Sequence, residues 1–138
     1  MSHNIGELSA NSNIDGDFEV CDEDKIPNYY AMGTSYEGGK RAIKTKILKD
    51  LQALAFDQPG LISFRFIVNC KGEIGRIRHR STDMDLQETS FDKGNLEEIE
   101  SAIARLDKWN PAKNQHKTYD SYYLLNFKVR DGRIVDIF

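Results

Sequence analysis

Gly60-Leu61-Ile62-Ser63-Phe64-Arg65-Phe66-Ile67-Val68-Asn69-Cys70-Lys71-Gly72-Glu73-Ile74 is the stretch on which the fold turns. Ile62, Phe64, Phe66 and Val68 alternate with Ser63, Arg65 and Ile67, and a period of two marks a strand with one well-buried face. Asn69 to Gly72 are turn residues, and Gly72 can take a positive φ, so the chain is expected to double back as a hairpin. The returning strand, Glu73 to about Ser81, is less regular. Ile74 and Ile77 fall on opposite faces unless the strand bulges, and Gly75 is the expected bulge site.

Working upstream, Ile43, Ile47, Leu51 and Leu54 recur at helical spacing between Gly38-Gly39 and Pro59-Gly60, which predicts an amphipathic helix. Downstream, 82–94 is polar and reads as a loop. Asn95 has the chemistry of an N-cap, with Glu98 three residues on, and Leu96, Ile99, Ala102, Ile103 and Leu106 form the apolar stripe of a second helix. Trp109-Asn110-Pro111 closes that helix, with Trp109 as a packing anchor. Tyr123, Leu125, Phe127 and Val129 alternate as a third strand, and Asp131-Gly132 signals a second hairpin that would return Ile134–Phe138 as a short fourth strand.

Two antiparallel strands followed by a crossover helix bring the third strand back beside the first. The expected fold is therefore α+β: a two-layer sandwich with a three- or four-stranded antiparallel sheet of order second–first–third and two helices on one face. The third strand then lies at an edge, unless the fourth fills it.

Ahead of this domain, residues 1–35 read as a flexible acidic segment. Asp15, Asp17, Glu19, Asp22, Glu23 and Asp24 cluster there with little apolar surface to offset the entropy of ordering. A chain of 138 residues leaves room for one domain, 36–138, and its net charge of −3 disfavours a general nucleic-acid binder. No apolar run is long enough to span a bilayer, and the polar N-terminus is no secretory signal. Cys21 and Cys70 are expected to be free thiols; a bridge between them would suit an oxidising compartment.

Four pieces in order resemble the C-terminal domain of the TonB family of energy transducers, over roughly residues 36 to 138. They are Tyr36-x-Gly38-Gly39, the hairpin from Gly60 through Val68-Asn69-x-x-Gly72 to Ile74, Leu106-x-x-Trp109-x-Pro111-Ala112, and the alternating strand that follows. The resemblance implies a periplasmic, non-catalytic binding module that takes an extended peptide of an outer-membrane receptor or other envelope protein as an added strand. It puts the gripping edge on the third strand, at Tyr119, Tyr122, Leu124, Asn126 and Lys128. An edge shared between two copies would instead give a homodimer. The membrane anchor, the proline-rich stalk and the Tyr-Pro element ahead of the first strand, which go with that family, have no counterpart in this sequence.

The alternative is a stand-alone domain, cytoplasmic in that case, that binds an anionic ligand or nucleic acid. Arg65, Arg76, Arg78 and Arg80 alternate along the paired strands and would share the sheet face opposite the helices. No catalytic residue, metal site or cofactor is assigned. His3, His79 and His116 show no ligand spacing, no nucleophile elbow or phosphate loop is visible, and Asp83, Asp85 and Asp92 lack the spacing of a calcium loop.

Overall fold

The computed structural model describes residues 18–21, 34–113 and 117–138. In chain order its elements are β1 (Ser35–Tyr36), α1 (Gly39–Asp50), β2 (Gly60–Val68), β3 (Ile74–Thr82) and α2 (Lys93–Ala104). Then come β4 (Trp109–Asn110), β5 (Ala112–Lys113), β6 (Thr118–Tyr119), β7 (Ser121–Arg130) and β8 (Arg133–Ile137).

The main sheet is antiparallel throughout, in the order β3-β2-β7-β8. β2 sits at its centre, pairing along its whole length with β7 from Gly60↔Val129 to Val68↔Ser121. One face carries Ile62, Phe64 and Phe66 from β2 and Leu125, Phe127 and Val129 from β7 into a core with Ile43 and Ile47 of α1 and Ile99 and Ile103 of α2. All ten are fully buried, and truncating any one of the three phenylalanines would cost about 3–5 kcal/mol. This is the α+β two-layer sandwich that the periodicities predict.

The irregular strand does bulge. Arg65 faces Arg78 and Ile67 faces Gly75, so Phe66 alone opposes both Arg76 and Ile77. The extra residue turns Ile74 and Ile77 to the same, helix-covered face, where both pack on the core. The positive φ of the bulge is at Arg76, 51°, and not at Gly75, whose missing side chain serves a different purpose described below.

Two further expectations change. α1 ends at Asp50, so Leu51 is its C-cap and Leu54 follows in the turn. α2 is capped by Asp92, whose Oδ2 accepts the Asn95 N–H at 3.1 Å, while the Asn95 side chain donates to the Ala55 carbonyl at 2.7 Å. Trp109 pairs as β4 with Tyr36 of β1 and packs edge-on against Tyr36, Phe66 and Tyr123. It anchors the open end of the core as expected.

Asp131 and Gly132 both take positive φ, 56° and 80°, the two-residue turn whose twist matches a hairpin. β8 therefore returns along Phe127–Arg130, and Asn126 exchanges both backbone hydrogen bonds with Phe138, at 2.8 and 2.9 Å. The sheet accordingly ends at β8, not at the third long strand; its other terminal strand is β3. Among the described residues no helix is long and apolar enough to cross a membrane.

Candidate binding face

The helices cover one side of the sheet. On the other, the turn between β2 and β3 organises a short crossing segment. Asn69, 1% exposed, accepts the Lys71 and Glu73 N–H groups on its Oδ1 at 3.0 and 2.9 Å, and Gly72 closes the turn with φ 80°. The Asn69 Nδ2 is left to donate outward, to Glu73 Oε1 at 2.9 Å and to the Glu19 carbonyl at 3.0 Å. That second bond clips Phe18–Cys21 onto the sheet.

Phe18 and Val20 of this strap pack on Ile67 and Tyr122, an apolar cluster separate from the main core. Gly75 lies directly beneath: a Cβ there would run into the Phe18 ring. Glycine is required at this position by contact, since its φ is ordinary. The expectation of free thiols is overturned, because Cys21 and Cys70 form a disulfide with their Cα atoms 6.1 Å apart. The Asn69 clip brings the strap to the turn that carries Cys70, and sequence spacing cannot report such a tertiary approach.

Asp120, 1% exposed, sits between the two cysteine backbones. Its Oδ1 accepts the Cys21 N–H at 2.9 Å and the Cys70 N–H at 3.0 Å, and its Oδ2 accepts the Cys21 N–H at 2.8 Å. A buried carboxylate is tolerable because these donors replace water. Cys21, Cys70 and Asp120 are the only residues of metal-ligating type that converge among the described residues, their ligand atoms within 4.8 Å. The two sulfurs are joined to each other, and the carboxylate is committed to backbone N–H groups.

The arginines separate. Arg65 and Arg78 face each other across β2 and β3, and exposed Arg80 stands opposite Ser63. Arg76 does not join them: at the bulge it is 4% exposed. Simple alternation put it with the other three as part of an accessible ladder, whereas it is buried. The Arg65 guanidinium lies 4.3 Å from the centre of the Tyr122 ring, a cation–π contact that helps wall in the strap's apolar seat.

The predicted edge residues separate as well. Tyr119 belongs to β6, paired with Ala112 and covered by the Lys117 ammonium at 5.2 Å, and Asp120 divides it from β7. Tyr122 faces away from the helices, 8% exposed, whereas Tyr123 faces the core between Phe66 and Trp109. Leu124 is half-buried opposite Arg65. Asn126 accepts from the Ser63 hydroxyl at 2.6 Å and pairs with Phe138, and Lys128 lies between Leu61 and Asp136. Asn126 and Lys128 are thus engaged by the chain's own C-terminal strand.

Phe18, Val20, Gly75, Asn69 and Asp120 are the site residues that the sequence reading missed. A signal existed for the strap, since Phe18 and Val20 are two apart within an otherwise acidic run. His79 is exposed on β3, 5.4 Å from the Phe64 ring, while His3 and His116 lie outside the described residues, as does the acidic segment except for 18–21 and 34–35. Asp83 turns its own loop, accepting the Asp85 and Gln87 N–H groups at 2.8 and 2.9 Å. No family model matches the chain, and no curated protein or solved structure matches it either.

Proposed function

We propose that the protein is a non-catalytic binding module of an oxidising compartment, such as the periplasm, that captures an extended acidic peptide of an envelope protein by strand addition along β3. The observation that carries this reading is the sheet order. It puts β3, with Arg78 and Arg80 on it, at the end of the sheet, with only its last two residues paired outward among the described residues, to Glu88 and Thr89, while β8 occupies the far side of β7 from Asn126 to Arg130. A terminal strand is a ready template for another backbone, and its arginines favour a partner carrying carboxylates. The Cys21–Cys70 disulfide supports the compartment, because such bonds persist where thiols are not kept reduced. The TonB resemblance supports the mode of binding, moved from the third strand to the opposite end of the sheet.

Titrating an extended, aspartate-rich ten-residue peptide into isotopically labelled protein tests this. Amide shifts are expected along β3, and the Arg78→Glu/Arg80→Glu double variant should weaken binding about tenfold, each exposed charge pair contributing up to about 1 kcal/mol. Shifts confined to Ser121–Leu125 would return the grip to β7, and shifts along neither strand would end the strand-addition reading. Tighter binding of a phosphate-bearing oligonucleotide than of the peptide, without amide shifts along a strand edge, would favour the anion-binding alternative, now resting on Arg65, Arg78 and Arg80 without buried Arg76.

A further inference from the structure

We infer that Gly75, Ile67 and Tyr122 form a redox-gated socket for an aromatic side chain with acidic neighbours, filled in the oxidised protein by its own Phe18 and offered in the reduced protein to an extended aromatic–acidic peptide of a partner. The inference rests on the reading of this end of β3 as peptide-binding and names the residue type its partner must bring.

The fit is visible because the socket is occupied. The Phe18 ring stands where any β-carbon at Gly75 would be, with Ile67 and Tyr122 beside it and Arg65 stacked over Tyr122 at 4.3 Å. Val20 takes a second apolar place, and Asn69 holds the backbone between them through the Glu19 carbonyl at 3.0 Å. The occupant's sequence, Asp17-Phe18-Glu19-Val20, is therefore a template for the ligand: an aromatic residue, acidic neighbours and an apolar residue two positions on. Gly75 belongs to β3 itself, so the socket and the edge are parts of one surface.

What keeps the ligand out is covalent. Cys21 is bonded to Cys70, and Asp120 holds both backbones in place. An external dithiol opens the gate: its two sulfurs leave joined as a disulfide, and its two electrons and two protons convert Cys21 and Cys70 to thiols. The strap is then retained only by Phe18, Val20 and a few hydrogen bonds, and a partner peptide competes with it on equal chemical terms.

The probe is a fluorescent peptide of residues 14–24 carrying Cys21→Ser, followed by anisotropy against three proteins. These are the oxidised protein, the strap-disabled variant Phe18→Ala/Cys21→Ser/Cys70→Ser, and that variant with Gly75→Val added. Binding at least tenfold tighter to the strap-disabled variant than to the oxidised protein, and lost on adding Gly75→Val, is the expected result. Equal affinity for the first two, or indifference to Gly75→Val, overturns the socket. Hydrogen exchange on the wild type before and after reduction guards against a variant that fails to fold: faster exchange at Ile67 and Gly75 upon reduction is required, and unchanged exchange refutes the gate. The same peptide with Phe18→Ala separates the two readings. If it binds the oxidised protein and depends on Arg78 and Arg80, strand addition stands and the socket falls; if neither peptide binds any form, both fall.

Discussion

Asp120 shows how much one residue can hold. It precedes β7, yet its carboxylate fixes two backbones that are 49 residues apart in sequence, those of Cys21 and Cys70. Replacing it with alanine leaves two part-buried N–H groups without their acceptor, so Asp120→Ala should cost about 2 kcal/mol in urea unfolding with the disulfide intact. Asp120→Asn keeps one acceptor oxygen and should cost visibly less, and equal costs for the two would show that the carboxylate charge, not its acceptor geometry, matters. None of this was legible in the sequence, where Asp120 is one of many acidic residues. The same holds for the cysteines: two of them in a chain carry no pairing information until the strap is seen to lie on the turn. Arg76 was expected on an accessible ladder but is buried at the bulge, whose position alternation alone does not give.

The elements themselves were read well where a local rule decides them. The β2–β3 hairpin, the Asp131-Gly132 turn and both helices follow from periodicity and turn chemistry, and the need for a bulge follows from the mismatch of Ile74 and Ile77. Which residue caps α2 did not follow, since Asp92 and Asn95 are both good caps and the choice rests on Asn95 reaching Ala55. The C-terminal strand is tied to α1 by Lys44, whose ammonium lies 2.6 Å from Asp136 Oδ1. That bond, with the Ile137 N–H, holds the Asp136 carboxyl below the usual carboxylate range. A depressed carboxyl contributes stability above its unfolded pKa and loses it as pH falls through the folded value. The wild type should therefore exceed Asp136→Asn in melting temperature at neutral pH, by a small margin for so exposed a pair. The gap should close in acid below the ordinary carboxylate range, and a gap that persists at the lowest pH would disprove the tie.

At the scale of the molecule the two faces are unequal. The helix face is sealed by a core that spans both helices and all four strands of the main sheet, while among the described residues the other face carries the strap. The two should fail separately. The chain-entropy argument gives the Cys21–Cys70 bond, which closes a loop of about 50 residues, roughly 4 kcal/mol of stabilisation. Reduction should lower the denaturant midpoint accordingly while leaving the core amides of Phe64, Phe66 and Leu125 at their native chemical shifts. Loss of those shifts would mean that the strap is structural to the whole fold. The layer architecture could be argued from the order of elements, because connection rules leave few arrangements. Function could not, because a sandwich of this kind specifies no ligand; what points to one is the tertiary meeting of Phe18, Gly75 and Tyr122.

The strap is synthesised before every strand it rests on, and Tyr122, one wall of its seat, follows Phe18 by more than a hundred residues. Its docking therefore comes late in folding, after the distant pairing of β2 with β7 has joined the two halves of the sheet. With two cysteines in the chain, oxidation that runs ahead of folding cannot choose a wrong partner within the same molecule. The only misplaced bond joins one chain to a neighbour. Recovery of native protein from the denatured, reduced state should thus be governed by dilution, and a catalyst of disulfide shuffling would have no wrong intramolecular pair to correct.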